Sequence, residues 1–187
     1  RPPGHNCSSH SEQKEDNNVT SQYARTVSDI RPTVWVQKTA SGEIEEHEQT
    51  QDERQALQIP PKGEYRLKVK GFAVPFDMPR SQEFGGGMQT MTRLLLEVQG
   101  GPGAGKRTTL LTSYAVSRRS NLGRIYAATV GMPSPGEDWD PVLMLEQEFT
   151  AYLQPSKNVD EHGKPKGTDC SWDTVAAVGD ASSAAAT

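Results

Sequence analysis

The stretch that most constrains this chain begins at Gly63. Pro60, Pro61 and Gly63 punctuate the sequence, and strict alternation follows at once, with Tyr65, Leu67 and Val69 on one side and Arg66, Lys68 and Lys70 on the other. A period of two sends successive side chains to opposite faces, so the segment reads as a half-buried strand. Gly71 interrupts it before Phe72 and Val74, as expected where a strand bends sharply enough to belong to two parts of a barrel.

Short elements continue the pattern. Asp77 to Gln89 reads as a loop, with Pro79, the run Gly85 to Gly87, and Phe84 and Met88 as its apolar members. Thr90 to Gln99 predicts a second strand with Leu94, Leu96 and Val98 inward. Across the glycine-rich turn Gly100 to Gly105, Lys106 to Val116 predicts an antiparallel third. Ser117 or Ser120 caps a short amphipathic helix carrying Leu122, Ile125, Tyr126 and Val130, which Gly131 stops. Asp140 and Pro141 open a brief turn through Leu145. Strand four is expected at about Glu148 to Gln154 and strand five at Ser171 to Val178, with a polar loop, Pro155 to Asp169, between them. Three strands, a helix and two strands, with long connections after the first and fourth strands, is the order of a five-stranded OB-type β-barrel. The expected fold is therefore all-β with one short helix, over residues 62–179.

Outside that region the sequence is too polar to pack. The whole chain is 33% apolar with a mean hydropathy of -0.71, and residues 1–30 hold hardly an apolar side chain to offset the entropy of ordering them. Residues 1–61 are expected to be a polar, mostly disordered N-terminal segment, and residues 180–187 a disordered tail. Within the former, Val34, Trp35 and Val36 mark a short extended piece. Glu43 to Leu57 is a charged run with helical potential, and both pieces either dock on the barrel or tether it.

The formal charge is -4, with six Lys/Arg against ten Asp/Glu in residues 1–61 and fourteen against thirteen in residues 62–179. Near neutrality excludes the bulk basic signature of a strong nucleic-acid binder but leaves room for a local basic face. No run approaches the roughly 18 apolar residues of a membrane span. Cys7 and Cys170 suggest no disulfide framework, so a soluble protein of a reducing, cytoplasmic compartment is expected.

Gly100, Gly105 and Lys106 have most of the spacing of a phosphate-binding loop. The residue after Lys106 is Arg107 where a magnesium-binding hydroxyl is needed, and Arg107 to Val116 alternates as a strand, leaving no helix N-terminus for phosphates. A hairpin loop is the better reading, with P-loop-like nucleotide binding the lesser alternative. His5, Cys7 and His10 have metal-compatible spacing within a polar tail, and Glu137, Asp138 and Asp140 read as a solvated, capping acidic loop. No nucleophile has an evident base partner. Catalytic residues, metal and cofactor are all expected to be absent, so the protein does not read as an enzyme.

The basic residues are more informative. Lys68 and Lys70 lie on strand one, Arg93 on strand two, Lys106 and Arg107 at the second hairpin, and Arg118 and Arg119 before the helix. Lys157, Lys164 and Lys166 occupy the loop between strands four and five. The middle strands and those two long loops border the oligonucleotide groove of an OB barrel. Phe84 and Met88, with Tyr114 and Trp172, are candidate stacking surfaces beside them, Tyr114 and Trp172 serving otherwise as core or rim residues.

The stretch Gly63-Glu64-Tyr65 through Ser120-Asn121-Leu122-Gly123-Arg124 to Glu148-Phe149-Thr150-Ala151 resembles small OB-like proteins of phages and prophages. The resemblance implies single-stranded DNA binding in replication or recombination, in a bacterium or a phage-infected cell. The Gly-rich acidic C-terminal tail of bacterial single-strand-binding proteins is missing. The expected partner is thus single-stranded nucleic acid, DNA before RNA. The alternative is a protein-interaction or structural barrel that pairs through the same face or an exposed edge strand.

Overall fold

The computed structural model describes residues 33–179. Nine strands run in chain order: β1 (Val34–Lys38), β2 (Ile44–Glu48), β3 (Gly63–Ala73), β4 (Phe76–Pro79), β5 (Met88–Gln99), β6 (Arg107–Ser113), β7 (Glu148–Pro155), β8 (Thr168–Cys170) and β9 (Ala176–Ala177). Among the described residues two α-helices accompany them, α1 (Gln51–Ala56) and α2 (Asn121–Thr129). The expectations for residues 1–32 and 180–187 lie outside the described residues.

Five strands close on themselves. β3 pairs antiparallel with β5 and with β7, β5 with β6, and β7 with β8, while β6 meets β8 in parallel at Leu110 and Thr168. The circuit β3-β5-β6-β8-β7 is a closed barrel, and α2 lies between β6 and β7 in sequence, which is the OB-type order. Alternation does what was expected of it: Leu67 and Val69 of β3, Leu94, Leu96 and Val98 of β5, Leu110 of β6, and Phe149, Ala151 and Leu153 of β7 are buried in one cluster. Leu122, Ile125 and Tyr126 join the same cluster from α2, whose first turn is capped by the Ser120 hydroxyl accepting from the Gly123 N–H at 3.0 Å. Met144 and Leu145 enter it from the 3-10 turn Pro141–Met144, which Asp140 caps by accepting from the Val142 N–H.

Gly71 marks the bend in β3. The register with β5 shifts between Val69 and Gly71; before it β3 pairs with β7, and beyond it with β1. A Cβ at Gly71 would meet the Val36 carbonyl oxygen at 3.2 Å, so the close approach of β1 favours a residue without one.

Three expectations need correction. Within the segment expected to be mostly disordered, residues 33–61 are described and carry strands and a helix docked on the barrel. β1 and β2 form a hairpin added to β3, Trp35 packs with Ala73 and Leu95 in a second buried cluster, and Leu57 packs against it from the end of α1. Packing on the barrel exterior orders this piece. The loop expected at Asp77 to Gln89 is largely a hairpin, with β4 paired to β5 from Phe76–Met91 to Pro79–Met88. Strand five is the short β8, Thr168–Cys170, and Ser171 to Val178 instead makes a 3-10 turn (Trp172–Thr174) and the two-residue β9. Barrel closure needs a strand beside β6, and Gly167 supplies it: a Cβ there would stand 2.8 Å from Thr109 Oγ1, so only this backbone fits so close.

Candidate functional site

The outer face of the barrel carries the basic side chains singled out by sequence, and carboxylates neutralise much of it. Arg66 and Lys68 both bridge to Glu148, Lys70 bridges to Glu146 at 2.6 Å, and Arg107 bridges to Glu97 at 3.1 Å. The strand register explains the pairing, since Lys68 lies opposite Glu97 on one side and Glu148 on the other. Cross-strand opposite charges support a sheet and leave little attraction for an outside phosphate. Lys68, Lys70 and Arg107 are therefore members of a charge ladder.

The remaining predicted residues divide by position. Arg93 reaches solvent with its guanidinium 5.5 Å from the Phe76 ring centroid, and burial, then the charge of Arg54, push its pKa below the ordinary value. Lys106 is exposed at the end of the β5–β6 hairpin, and the glycine-rich turn before it is a hairpin connection with Gly100, Gly101 and Gly105 at positive φ. The chain then enters a strand rather than a helix. Lys157, Lys164 and Lys166 are exposed on the β7–β8 connection, which the Val159–Pro165 bridge pinches and Asp160 organises by accepting from the His162 and Lys164 N–H groups. None of these three lysines makes an ion pair among the described residues.

The aromatic candidates also separate. Tyr114 is half-buried beside the core, its ring 5.0 Å from that of Trp139, which in turn stacks edge-on against Tyr126. Burial, then the Asp140 charge, push its phenol pKa up. It belongs to the rim. Phe84 is 67% exposed and Met88 65% exposed, at the tip and the return of the β4–β5 hairpin. Trp172 is 47% exposed, and the Arg124 guanidinium lies 4.7 Å over its ring while its Nε donates to the Arg118 carbonyl at 2.7 Å. Sequence reasoning missed Arg124 because helical spacing assigned α2 only its apolar face; its position four residues after the Ser120 cap is the signal that could have found it.

Trp172 borders a shallow groove of about 310 Å³ formed by Gln89 and Met91 of β5, Leu111 and Ser113 of β6, Arg119 before α2, and the α2 N-terminus. The structure thus brings Trp172, Arg119 and Arg124 to one end of β6, together with the hairpin that carries Phe84 and Met88. A second cleft, of about 350 Å³, opens at the other end of β6, between the segment 49–58 and the barrel. At its floor Cys170 has no counterpart; that thiol lies at the first groove, buried, its pKa pushed up to about 12 by burial and then by Asp173 and Asp169. Such a thiol is inert near neutral pH. No helix of the described residues is long and apolar enough to cross a membrane.

No family model, no curated protein and no solved structure matches this chain.

Proposed function

We propose that this protein is a non-enzymatic OB-type barrel that binds single-stranded nucleic acid, DNA in preference to RNA, in phage or bacterial DNA replication or recombination. One observation carries the reading. Where β5 begins and β6 ends, an exposed indole, Trp172, is fixed by Arg124 beside Arg119 in an open groove. A flat aromatic surface next to guanidinium groups accepts any base by stacking and its phosphate by charge, which is what sequence-tolerant single-strand binding requires. Phe84 and Met88 are exposed on the β4–β5 hairpin, whose return at Gln89 and Met91 lines the groove. The site differs from the one expected by sequence in omitting Lys68, Lys70, Arg93, Lys106, Arg107, Tyr114, Lys157, Lys164 and Lys166 and in adding Arg119 and Arg124.

The test is fluorescence anisotropy of a labelled single-stranded thirty-mer against the full chain at low and moderate salt. Binding is expected to weaken steeply with salt, as counterion release demands. Trp172→Ala should cost about 1–3 kcal/mol, whereas Lys68→Ala, which removes a partner of Glu148 only, should leave affinity unchanged. Absence of binding at low salt, or equal loss from both variants, rejects the proposal.

A protein-binding barrel is the second reading, and one observation favours it. Among the described residues β2 ends the sheet with β1 as its single neighbour, and its exposed side chains include Glu45, Glu46 and Glu48. An acidic open edge suits a basic strand from another chain. Partner capture that persists in Trp172→Ala and fails in a β2 proline variant would favour it.

A further inference from the structure

The cleft at the Lys106 end of β6 has no role in the groove just described. Its roof is a strap, residues 49–58, that includes α1. That helix has six residues and buries none of them. The strap is tied down by the Gln49 N–H to the Thr33 carbonyl and the Gln58 N–H to the Arg107 carbonyl, both at 2.8 Å, and by Leu57 on Leu95 and Trp35. Beyond these ties the strap is joined to the rest of the described residues by one side-chain pair, His47–Glu53, so it can lift without disturbing the barrel.

The walls have a definite chemistry. Trp35, Leu57 and Leu95 line its apolar floor, which the strap largely covers, Trp35 and Leu95 being buried. Gln37 and Gln49 line the sides, Gln49 being 6% exposed; the Gln49 amide offers a donor and an acceptor together, while Gln37 donates one N–H to Glu45 at 3.1 Å and keeps its carbonyl oxygen and second N–H. His47 Nε2 lies 2.8 Å from Glu53 and closes the far wall, stapling β2 to α1. Lys106 stands at the mouth and makes no ion pair among the described residues, while Arg107 beside it is engaged by Glu97. One group is conspicuous: Trp35 is 2% exposed, and its buried indole Nε1 has no hydrogen-bond partner among the described residues. An orphaned buried donor costs about 1–3 kcal/mol.

We propose that this cleft takes a single nucleotide, its base on the Trp35–Leu95 floor, the base edge read by the glutamine amides, and its phosphate at Lys106. A volume of about 350 Å³ falls at the small end of ligand pockets and suits one nucleoside monophosphate rather than an oligomer. Alternating donors and acceptors on a planar ring, with an anion at one end, is the chemistry these walls complement. Acidic peptides lack the ring, and lipids lack the polar edge. The inference rests on the nucleic-acid reading only for its source, a free nucleotide or one turned out of a strand lying along β6 from the groove at Ser113.

The experiment titrates the full chain calorimetrically with dAMP, dTMP and inorganic phosphate, in parallel with anisotropy of the thirty-mer. At least one mononucleotide is expected to bind in the submillimolar range and phosphate alone far more weakly. Lys106→Ala, an exposed substitution with no packing to lose, should weaken nucleotide binding about tenfold, the worth of one charge-assisted hydrogen bond. Gln49→Leu should weaken it further, with a thermal melt to verify folding, and Trp172→Ala should leave it unchanged. If the mononucleotides give no heat while the thirty-mer binds through Trp172, the cleft proposal is overturned and the groove stands. Mononucleotide binding that depends on Lys106 without any thirty-mer binding supports the cleft as a site for free nucleotides and removes the groove. Binding of both ligands, each weakened by Lys106→Ala, identifies a nucleotide of the bound strand. Mononucleotide binding indifferent to Lys106 and Gln49, or matched by phosphate alone, also overturns the proposal.

Discussion

Gly123 lies where α2 crosses the preceding loop, and a Cβ there would stand 1.9 Å from the Ser117 carbonyl oxygen and 2.5 Å from its nitrogen. Backbone cannot yield as a flexible side chain would, and the loop that must move also carries Ser120, whose hydroxyl caps the helix. Gly123→Ala is therefore expected to destabilise the protein by about 3 kcal/mol, the upper range for overpacking, even though alanine has the higher helix propensity. Urea denaturation should show the lowered midpoint. Sequence inspection sees a glycine in a helix and assigns a propensity cost; the close approach that requires it is a tertiary fact. Trp35 teaches the same at the site. Flanked by valines in a polar segment, it suggested a short extended piece, but nothing local says that it becomes the floor of a cleft with its Nε1 unpaired.

Where elements meet, the outer ladder of β3, β5 and β7 makes a pH-dependent contribution. Burial works to raise the Glu97 pKa, but hydrogen bonds from Gln99 and Arg107 and the charges of Arg107 and Lys70 outweigh it, holding the group below its ordinary 4.5. A carboxylate depressed on folding contributes stability above its unfolded pKa and loses it as pH falls through the folded value. Glu97→Gln should accordingly show a shallower fall in urea midpoint than wild type between roughly pH 5 and pH 3. Alternation made β3, β5, β6, β7 and α2 legible in the sequence, because each has one buried face. β2 shows both faces to solvent over most of its length and so has no period to read, and β8 is too short to have one. The charge ladder was illegible for a different reason. Arg66 and Glu148 are 82 residues apart, and only the register of β3 with β7 brings them together. Basic residues counted along a strand therefore overstated the available positive face, while Trp172 was found as a residue type and Arg124 was not.

At the scale of the molecule, both ends of β6 open onto a recess, one bordered by Trp172 and one by Lys106, and the strap over the second is built from residues for which the sequence left docking and tethering equally open. The barrel that positions both recesses is completed by little. Its parallel seam is the pair Leu110–Thr168, reinforced by the Thr168 hydroxyl donating to the Thr109 carbonyl at 2.9 Å, across 59 residues of chain. A contact of that sequence separation carries a large loop-closure entropy and forms after the local hairpins have assembled. Thr168→Val, which keeps the shape and removes the hydroxyl, should thus raise the unfolding rate several-fold while leaving the folding rate near that of wild type, a split visible in the two arms of a chevron. The seam then acts as the clasp of the ring: it contributes little to how quickly the protein assembles and much to how long each molecule stays closed.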